Sequence, residues 1–236
     1  MSMLSTLTPS LDQLLGGGFH TGYLSLVYGE ASTGKTTLSV QCAVAASRRS
    51  LKTLYVDSDQ SFSHQRLLQI IGSGNTDVCD NIIVFLPQSF LEQSKIVESL
   101  ENYITKRVGL VVIDTMTSLY RTALGGSAMT FDLNRELNRQ LAYLVELSSR
   151  HNLTSIITGQ VRSRVDDVGW KVEPVARRTL FHWPKTILRL KSTVDTNIKE
   201  VRLERSHSGD VADKRCYLEM TEQGLRDFHY QSGYPR

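Results

Sequence analysis

The stretch GEASTGKTT, Gly29 to Thr37, decides the fold of this chain. It has the spacing G-x-x-x-x-G-K-T, in which glycines let the backbone turn so that its N–H groups face phosphate oxygens. The apolar run YLSLVY (23–28) comes before it, and the run TTLSVQCAVAAS (36–47), rich in small and apolar residues, comes after it. A buried strand, a glycine-rich loop and a helix in this order predict a P-loop, and hence a site for a nucleoside triphosphate.

We expect the loop to hold the phosphates through both its backbone and its side chains. Lys35 would reach the outer phosphates, and the hydroxyl of Thr36 would bind Mg²⁺. A glycine-rich turn with a surface lysine is the alternative, and the strand and helix on either side argue against it. The residues predicted to bind the nucleotide are Gly29, Glu30, Ala31, Ser32, Thr33, Gly34, Lys35, Thr36 and Thr37.

The composition is that of an ordinary folded domain. Of 236 residues, 40% are hydrophobic and 22% charged, and no apolar stretch approaches the roughly 20 residues that a membrane helix needs. The N-terminus lacks the basic region and cleavage site of a signal peptide, so we expect a cytoplasmic protein. Cys42, Cys79 and Cys216 are far apart and fit three buried thiols. The net charge of +3 is too small to indicate nucleic acid by itself.

Strand and helix patterns alternate along the first two thirds of the chain. The predicted strands are 53–57, 81–85, 109–115 and 153–160, and the predicted helices are 63–71, 92–107 and about 131–151. This alternation predicts a parallel sheet with helices on both faces. Since no repeat, low-complexity tract or linker interrupts the chain, we expect residues 1–236 to form one domain.

The pattern changes after Gln160. Residues 161–182 show no clear period and are interpreted as an irregular, charged loop. Three alternating runs follow, and we expect them to be antiparallel strands at the edge of the sheet: TILRLKS (186–192), KEVRLERSH (199–207) and KRCYLEMTE (214–222).

Polar residues stand where the predicted strands end, which is where parallel sheets bind ligands. Asp114 closes the run LVVID and is predicted to hold the Mg²⁺ shell, the alternative being an aspartate at a strand end by chance. In Asp57-Ser58-Asp59, a carboxylate could orient an attacking water, or these residues could cap the following helix. Gln160 could sense the γ-phosphate or be a solvated amide.

The loop behind Gln160 has a modest basic bias. Trp170 lies among its charges and could stack on a base, although a mobile, solvated loop without a ligand explains the same composition. The glycine-rich segment RTALGGSAMT (121–130) is expected at the same end of the sheet. The positive residues of the loop are Arg162, Arg164, Lys171, Arg177 and Arg178, and the negative ones are Asp166, Asp167 and Glu173.

Several separated segments together resemble one family. GEASTGKTT, YVDSDQSFSHQRL, LVVIDTMTSLYR and ITGQV, the last followed by a long loop, resemble the ATPase core of RecA-like recombinases. The opening LSTLTPSLDQLLGGGF is also similar to the start of that core, and EPVARRTL and VRLERSH resemble the archaeal RadB branch. The match covers nearly the whole chain, in order.

The resemblance implies a fold class and a domain organisation. The class would be α/β, a RecA-like P-loop NTPase fold with a central, mostly parallel sheet flanked by helices and a C-terminal antiparallel extension. Residues 1–236 would be the ATPase core alone, without the helical N-terminal DNA-binding domain that larger relatives carry.

The resemblance also assigns catalytic roles. ATP and Mg²⁺ would be the cofactors, and Lys35, Asp59 and Gln160 would be catalytic. Thr36 and Asp114 would be the metal ligands. Asp59 stands where the family has a catalytic glutamate and is one methylene shorter, so we expect slow hydrolysis.

Further roles concern adenine and DNA. Arg66 falls where the family stacks an arginine on adenine, the alternative being an exposed helix arginine with a surface ion pair. Gln160 would be the γ-phosphate sensor at the base of the second DNA-binding loop, about 161–181, and the first such loop would be about 121–132. Gly159 replaces the asparagine common in the family, which leaves less side chain to brace the sensor. The DNA-binding residues would be Arg121, Arg162, Arg164, Lys171, Arg177 and Arg178.

The implied function is that of an accessory of homologous recombination and DNA repair with weak ATP hydrolysis. It would bind single-stranded DNA in preference, work with a RadA-type recombinase and a junction nuclease, and be a monomer or small oligomer without membrane contact. The alternatives are a P-loop kinase, which would yield a phosphorylated small product, and a KaiC-like signalling ATPase, which would form ring hexamers and phosphorylate itself.

Overall fold

The computed structural model describes residues 2–72, 76–125, 127–166, 169–209 and 214–228. For residues 76, 127–129, 162–166 and 169–172 it describes the backbone alone. None of the helices in these ranges has the length and apolar character that crossing a bilayer requires.

Strands and helices alternate over most of the chain. The strands are β1 (Met3–Leu4), β2 (Phe19–His20), β3 (Leu24–Gly29), β4 (Lys52–Asp57), β5 (Ile82–Phe85), β6 (Val108–Asp114), β7 (Thr154–Asp166), β8 (Gly169–Pro174), β9 (Thr186–Ser192), β10 (Ile198–Arg205), β11 (Arg215–Thr221) and β12 (Gly224–Asp227). The helices are α1 (Pro9–Leu15), α2 (Lys35–Arg48), α3 (His64–Ile71), α4 (Phe90–Ser99), α5 (Ser118–Thr122), α6 (Ser127–His151) and α7 (Arg177–Leu180), and the 3₁₀ segments are Thr76–Asn81 and Leu100–Tyr103.

The main sheet has the strand order β12-β11-β10-β9-β3-β7-β6-β4-β5. β9, β3, β7, β6, β4 and β5 are parallel, and β10, β11 and β12 extend the sheet as antiparallel strands. Since β7 lies between β3 and β6, the carboxyl ends of these three strands lie side by side. This order confirms the predicted fold class.

Helices cover both faces of the parallel strands because those strands are apolar on both sides. α1, α2 and α3 pack on one face around Leu38 and Val44, and α4, α6 and α7 pack on the other around Leu137 and Leu144. α2 is buried over most of its surface, which explains its small residues. Gln41 ties α2 to β12, because its amide accepts from the N–H of Leu225 and donates to the carbonyl of the same residue.

Most predicted elements match the structure. The runs 53–57, 81–85, 109–115 and 186–192 correspond to β4, β5, β6 and β9 to within one residue at each end. Ser63 caps α3 by accepting from the N–H of Arg66, as a serine before an amphipathic run predicts. The helix predicted over 92–107 ends earlier, in the 3₁₀ turn that closes at Tyr103.

The segment 161–182 differs most from its prediction. Instead of an irregular loop, β7 continues to Asp166, β8 returns antiparallel to Pro174, and α7 follows. β7 pairs with β3 only as far as Gln160, so residues 161–166 pair with β8 alone and lie beyond the main sheet. Strands outside the core need no apolar alternation, and the sequence therefore carried no strand signal there.

Three smaller predictions were wrong. β9 is parallel to β3 on one side and antiparallel only to β10, because an alternating run does not reveal the direction of its neighbours. α6 begins at Ser127 rather than near Phe131, so much of the predicted first DNA loop is helical. Cys42 is buried as expected, whereas Cys79 and Cys216 are partly exposed.

Candidate nucleotide-binding site

The loop between β3 and α2 can be built only with glycine at its two ends. A Cβ atom on Gly29 would lie 2.2 Å from the carbonyl oxygen of Leu190, which is fixed backbone. Gly34 has φ +99°, a conformation that favours glycine, and a Cβ there would lie 2.8 Å from Cε of Met220. Both glycines of the G-x-x-x-x-G-K-T pattern are therefore required by the local geometry.

Lys35 lies at the start of α2, and its ammonium group turns back into the loop. Nζ donates to the carbonyls of Gly29 at 3.0 Å and Glu30 at 2.6 Å, and the residue is only 8% exposed. Burial lowers the pKa of Lys35, and the carboxylates of Asp114, Asp59 and Glu30 oppose that shift. The loop thus concentrates one positive charge at the place where phosphates were predicted.

Asp114 ends β6 with a fully buried carboxylate. It accepts hydrogen bonds from the hydroxyls of Tyr55 at 2.8 Å and Thr158 at 2.5 Å, and Thr36 is a third hydroxyl partner. Burial raises the pKa of Asp114, while these hydroxyl donors pull the pKa down. The carboxylate and the Thr36 hydroxyl, the two predicted metal ligands, are therefore in contact.

The helix cap that the sequence left open for Asp57, Ser58 or Asp59 is supplied by Ser63 instead. Asp57 braces the turn after β4, because its carboxylate accepts from the N–H groups of Ser61 at 3.0 Å and Phe62 at 2.8 Å. Ser58 is buried and donates to the side chain of Gln93. Asp59 is exposed and takes no part in capping α3. The carboxylate free to face a ligand is thus that of Asp59.

Gln160 joins Asp59 to the hairpin of β7 and β8. Its Nε2 donates to the Asp59 carboxylate at 2.9 Å. Its backbone N–H donates to the hydroxyl of Thr117 at 3.4 Å, and its carbonyl accepts from the N–H of Val175 at 3.0 Å. One residue therefore connects the end of β4, the segment after β6 and the start of the turn that leads to α7.

A cavity of about 330 Å³ lies among these groups. The buried hydroxyl of Thr115 points to no hydrogen-bond partner within the described part of the chain. An orphaned hydroxyl beside a buried ammonium group is a donor set that a polyanion would satisfy. The cavity is lined by Ala31, Ser32, Lys35, Thr36, Asp59, Ser61, Thr115, Arg121, Gln160 and Val161.

A second cavity of about 320 Å³ lies on the other side of the same loop, against Met220 at the end of β11. The two cavities share Ser32, Lys35 and Thr36, so the residues around the start of α2 fit a bound nucleotide. They also fit Mg²⁺, which needs few protein ligands when phosphates supply the rest. In the described ranges no group of three or more His, Cys, Asp or Glu side chains could hold a metal ion. Thr36 and Asp114 remain the ligands that the sequence predicts.

The side chain of Arg66 is bound to other groups of the protein near this second cavity. Its guanidinium donates to the carbonyls of Thr221 at 2.9 Å and Glu222 at 2.8 Å, in the turn between β11 and β12, and contacts the sulfur of Met220. The predicted adenine stacking is thus untested, and the surface ion pair is replaced by bonds to main-chain carbonyls.

The predicted DNA-binding residues fall into two sets. Arg121, Arg177 and Arg178 are exposed; Arg121 lines the 330 Å³ cavity. Arg177 and Arg178 line a cavity of about 630 Å³ that α5, α6 and α7 share, so the two segments predicted to face DNA do meet. The side chains of Arg162, Arg164, Lys171 and Trp170 lie outside the described part of the structure.

Sequence reasoning missed the groups that position the predicted site. Tyr55 and Thr158 lie inside apolar runs, where they look like ordinary strand residues. Their shared orientation toward Asp114 depends on β4 and β7 being the two neighbours of β6, and no pattern in the sequence gives that order. Met220 was missed for a similar reason, since only the tertiary fold brings β11 to the loop.

The fold and the site define a class, the RecA-like P-loop NTPases. A strand that leads into G-x-x-x-x-G-K-T and a buried carboxylate at the end of a second strand are features of P-loop NTPases, and the strand order with its antiparallel extension is that of the RecA-like fold.

Comparison with known proteins names the family. The sequence model of the Rad51 family matches residues 1–228, and the chain belongs to that family. The chain is 36% identical to the DNA repair and recombination protein RadB of Thermococcus kodakarensis, over 95% of this chain and 99% of the relative. It is 32% identical to the RadB of Methanococcoides burtonii (95% and 97% covered) and 34% identical to that of Halobacterium salinarum (92% and 91%).

A solved structure agrees with these relatives. The crystal structure of the RadB recombinase has a TM-score of 0.82 to this chain, with 35% sequence identity over 96% of this chain and 100% of that one. The resemblance to RecA-like recombinases and to RadB is thereby confirmed. Membership of this family favours the recombinase interpretation over the kinase and the KaiC-like ATPase.

Proposed function

We propose that this chain is an ATP- and DNA-binding recombinase paralogue of DNA repair and homologous recombination, in which ATP sets the affinity for DNA. The names of its RadB relatives support the process, and the loop, the buried carboxylate and the cavities support the nucleotide. The observation that carries the proposal is Gln160. Its amide contacts Asp59 at the nucleotide cavity, and its carbonyl holds Val175 beside α7.

In this account, each part of the site has one task. Lys35 and the loop N–H groups bind phosphates, and Thr36 with Asp114 would hold Mg²⁺, which would withdraw charge from phosphate oxygens when bound. The amide of Gln160 has a single described acceptor, the exposed carboxylate of Asp59. The γ-phosphate of a bound nucleotide would be a second acceptor and would compete with Asp59 for that amide. A shift of Gln160 would then move Val175, because the N–H of Val175 donates to the Gln160 carbonyl.

Asp59 would also orient the attacking water. A general base needs hydrogen-bond reach to the water that it activates, and Asp59 is exposed in the same cavity as Lys35. Its side chain is one methylene shorter than glutamate. Because a misplacement of about 1 Å can reduce a rate by about 10²-fold, we expect slow turnover. ATP binding, rather than ATP hydrolysis, would then be the signal that reaches DNA.

The DNA site would be formed by Arg121 and by the arginines of α7. Arg177 and Arg178 are exposed around the shared cavity, and their charges suit a phosphate backbone. Arg162, Arg164 and Lys171 on the hairpin of β7 and β8 would add to this positive surface. We propose single-stranded DNA as the preferred ligand, in a cytoplasmic monomer or small oligomer whose protein partners are a RadA-type recombinase and a junction nuclease.

The salt dependence of DNA binding tests this site. Fluorescence anisotropy of a labelled oligo-dT with Mg²⁺-ATP, at a series of salt concentrations, should give a linear fall of log affinity with log salt. Each phosphate contact contributes about −0.7 to the slope for single strands. The double variant Arg177→Ala, Arg178→Ala should therefore flatten the slope by about 0.7 for each lost contact.

A matched control removes the same charge elsewhere. Arg48 and Arg107 are exposed near the opposite ends of the strands, so Arg48→Ala, Arg107→Ala should leave the slope unchanged. Equal slopes in wild type and the α7 variant would place the DNA contact elsewhere. No measurable binding by wild type would overturn the DNA-binding proposal itself.

A further inference from the structure

Gly159 lies one residue before Gln160, and its missing side chain leaves a space that α7 uses. A Cβ atom at Gly159 would lie 2.8 Å from Cδ2 of Leu180, 3.4 Å from Cδ1 of Leu26 and 3.5 Å from Cβ of Tyr28. Leu180, the last residue of α7, is fully buried. We call this packing of Leu180 over Gly159, in the cluster that also contains Leu26 and Tyr28, the α7 contact.

The backbone conformation at position 159 does not require a glycine. The φ angle of Gly159 is not positive, so residues other than proline could adopt its conformation. Its position in β7, directly paired with Tyr28 of β3, is that of an ordinary central strand residue. Glycine weakens a strand unless another group approaches closely, and here the approaching group is Leu180.

Three further contacts involve α7 and the residues directly after it. The ring of Phe181 packs edge-on against Tyr28 at 5.2 Å, and the guanidinium of Arg177 lies 5.1 Å from the centre of the Phe181 ring. Arg205, at the end of β10, donates to the carbonyls of Phe181 and Pro184. α7 is therefore fixed to the strands β3 and β7, which carry the nucleotide loop and Gln160 respectively.

We propose that Gly159 is a positioning residue: by admitting Leu180 onto β7, it links the arginines of α7 to the movement of Gln160. This inference rests on the proposed function. The hydrogen bond from Val175 to Gln160 attaches the start of the segment to β7, and the contacts of Phe181 with Tyr28 and Arg205 attach its end to β3 and β10. The α7 contact adds a second attachment to β7, one residue from Gln160, so a shift of β7 at Gln160 is passed directly to Leu180 of α7.

A pair of substitutions that moves side-chain volume from position 180 to position 159 tests the link between α7 and Gln160. Gly159→Val should displace Leu180, and Leu180→Ala should restore the space in the double variant. The readout is the ratio of oligo-dT affinities with and without a Mg²⁺-bound, non-hydrolysable ATP analogue. We expect Gly159→Val to bring the ratio to about one and the double variant to recover at least half of the wild-type ratio. A merely structural role would weaken both affinities equally and leave the ratio unchanged, which would overturn the inference.

A second readout needs no DNA. Trp183 follows α7 closely and donates to Asn138 of α6 at 2.9 Å, so in a Trp170→Phe background its fluorescence reports where α7 lies. We expect its emission to shift to the red in Gly159→Val and to return in the double variant. An unshifted emission would also overturn the inference. If wild type shows no nucleotide-dependent DNA affinity, the proposed function fails, and Trp183 still decides whether Gly159 positions α7.

Gly109→Val is the matched control. Gly109 also lies in a parallel strand, β6, where a Cβ atom would lie 2.6 Å from Cδ1 of Leu51, far along the sheet from α7. This variant is overpacked to a similar degree, and it should leave both the affinity ratio and the Trp183 emission unchanged. If Gly109→Val also brought the affinity ratio to about one, general destabilisation would explain the effect of Gly159→Val. That result would contradict the proposed link.

Discussion

At the scale of single residues, the site contains one buried charge of each sign held by neutral groups. Asp114 is fully buried among hydroxyls, and Lys35 lies among main-chain carbonyls. Neither charge has a salt bridge of its own in the described part of the chain. Burying charges in this way costs stability, and proteins retain such costs where a ligand repays them. Asp114 therefore gives a test of stability, and Asp59 of the same site gives a test of turnover.

Asp114→Asn should stabilise the ligand-free protein while abolishing its response to nucleotide. Because burial raises the pKa of Asp114, the folded state binds this proton more tightly than the unfolded chain does. The ionised carboxylate thus lowers the free energy of unfolding above the raised pKa, and that cost disappears as pH falls through it. We expect a Tm higher by about 2–4 °C at pH 8 for each kcal/mol gained.

The pH dependence is the diagnostic part of this prediction. Scanning fluorimetry should show the Tm difference shrinking from pH 8 toward pH 4, with no increase in Tm when Mg²⁺-ATP is added to the variant. Asp132→Asn, an exposed carboxylate on α6, is the control and should change little. If Asp114→Asn had a lower Tm than wild type at pH 8, the hydrogen bonds of the Asp114 carboxylate would stabilise the fold by more than its burial destabilises it.

Asp59→Glu should raise the rate of ATP hydrolysis, by about 10-fold or more, because the longer side chain extends the carboxylate into the cavity. Phosphate release under saturating Mg²⁺-ATP measures it. Asp59→Asn keeps an acceptor for Gln160 but removes the base, so it should hydrolyse more slowly than wild type. Equal rates in all three proteins would exclude Asp59 from the chemistry.

At the scale of elements, the sequence predicted where most of the strands lie but not which strands pair with one another. β4, β5, β6 and β9 follow from apolar runs, and the P-loop follows from spacing alone. The hairpin of β7 and β8 did not follow, because its outer residues pair only with each other and need no apolar face. Arg66 likewise shows that contacts between distant segments do not follow from the sequence. Its position on α3 is predictable, but its partners belong to the turn after β11, about 155 positions along the chain.

Arg66→Ala should loosen the turn between β11 and β12, which follows Met220 at the 320 Å³ cavity. Hydrogen exchange of peptides covering 220–225 should be faster in the ligand-free variant, since two carbonyls lose a charged donor. Gln65→Ala, an exposed neighbour on α3, is the control. Unchanged exchange together with weaker ATP binding would instead favour direct stacking of Arg66 on adenine.

At the scale of the whole molecule, the strand order explains why the predicted residues meet. β7 lies between β3 and β6, and β4 follows β6, so Lys35, Gln160, Asp114 and Asp59 line up along one edge of the sheet. The sequence indicated Lys35 by the P-loop spacing and Asp114 and Gln160 by their positions at strand ends, and the family resemblance singled out Asp59. It could not supply the contact between Gln160 and Asp59, since that depends on the packing of segments 101 residues apart.

The central claim is that ATP and DNA bind to one coupled system, and coupling is reciprocal. The direct measurement is a thermodynamic cycle: the oligo-dT affinity with and without a Mg²⁺-bound, non-hydrolysable ATP analogue, and the analogue's affinity with and without oligo-dT. We predict that each ligand tightens the other by the same factor, about 5-fold or more, and that Gln160→Ala reduces this factor to one while both ligands still bind. A factor of one in wild type, or an unchanged factor in Gln160→Ala, would contradict the account.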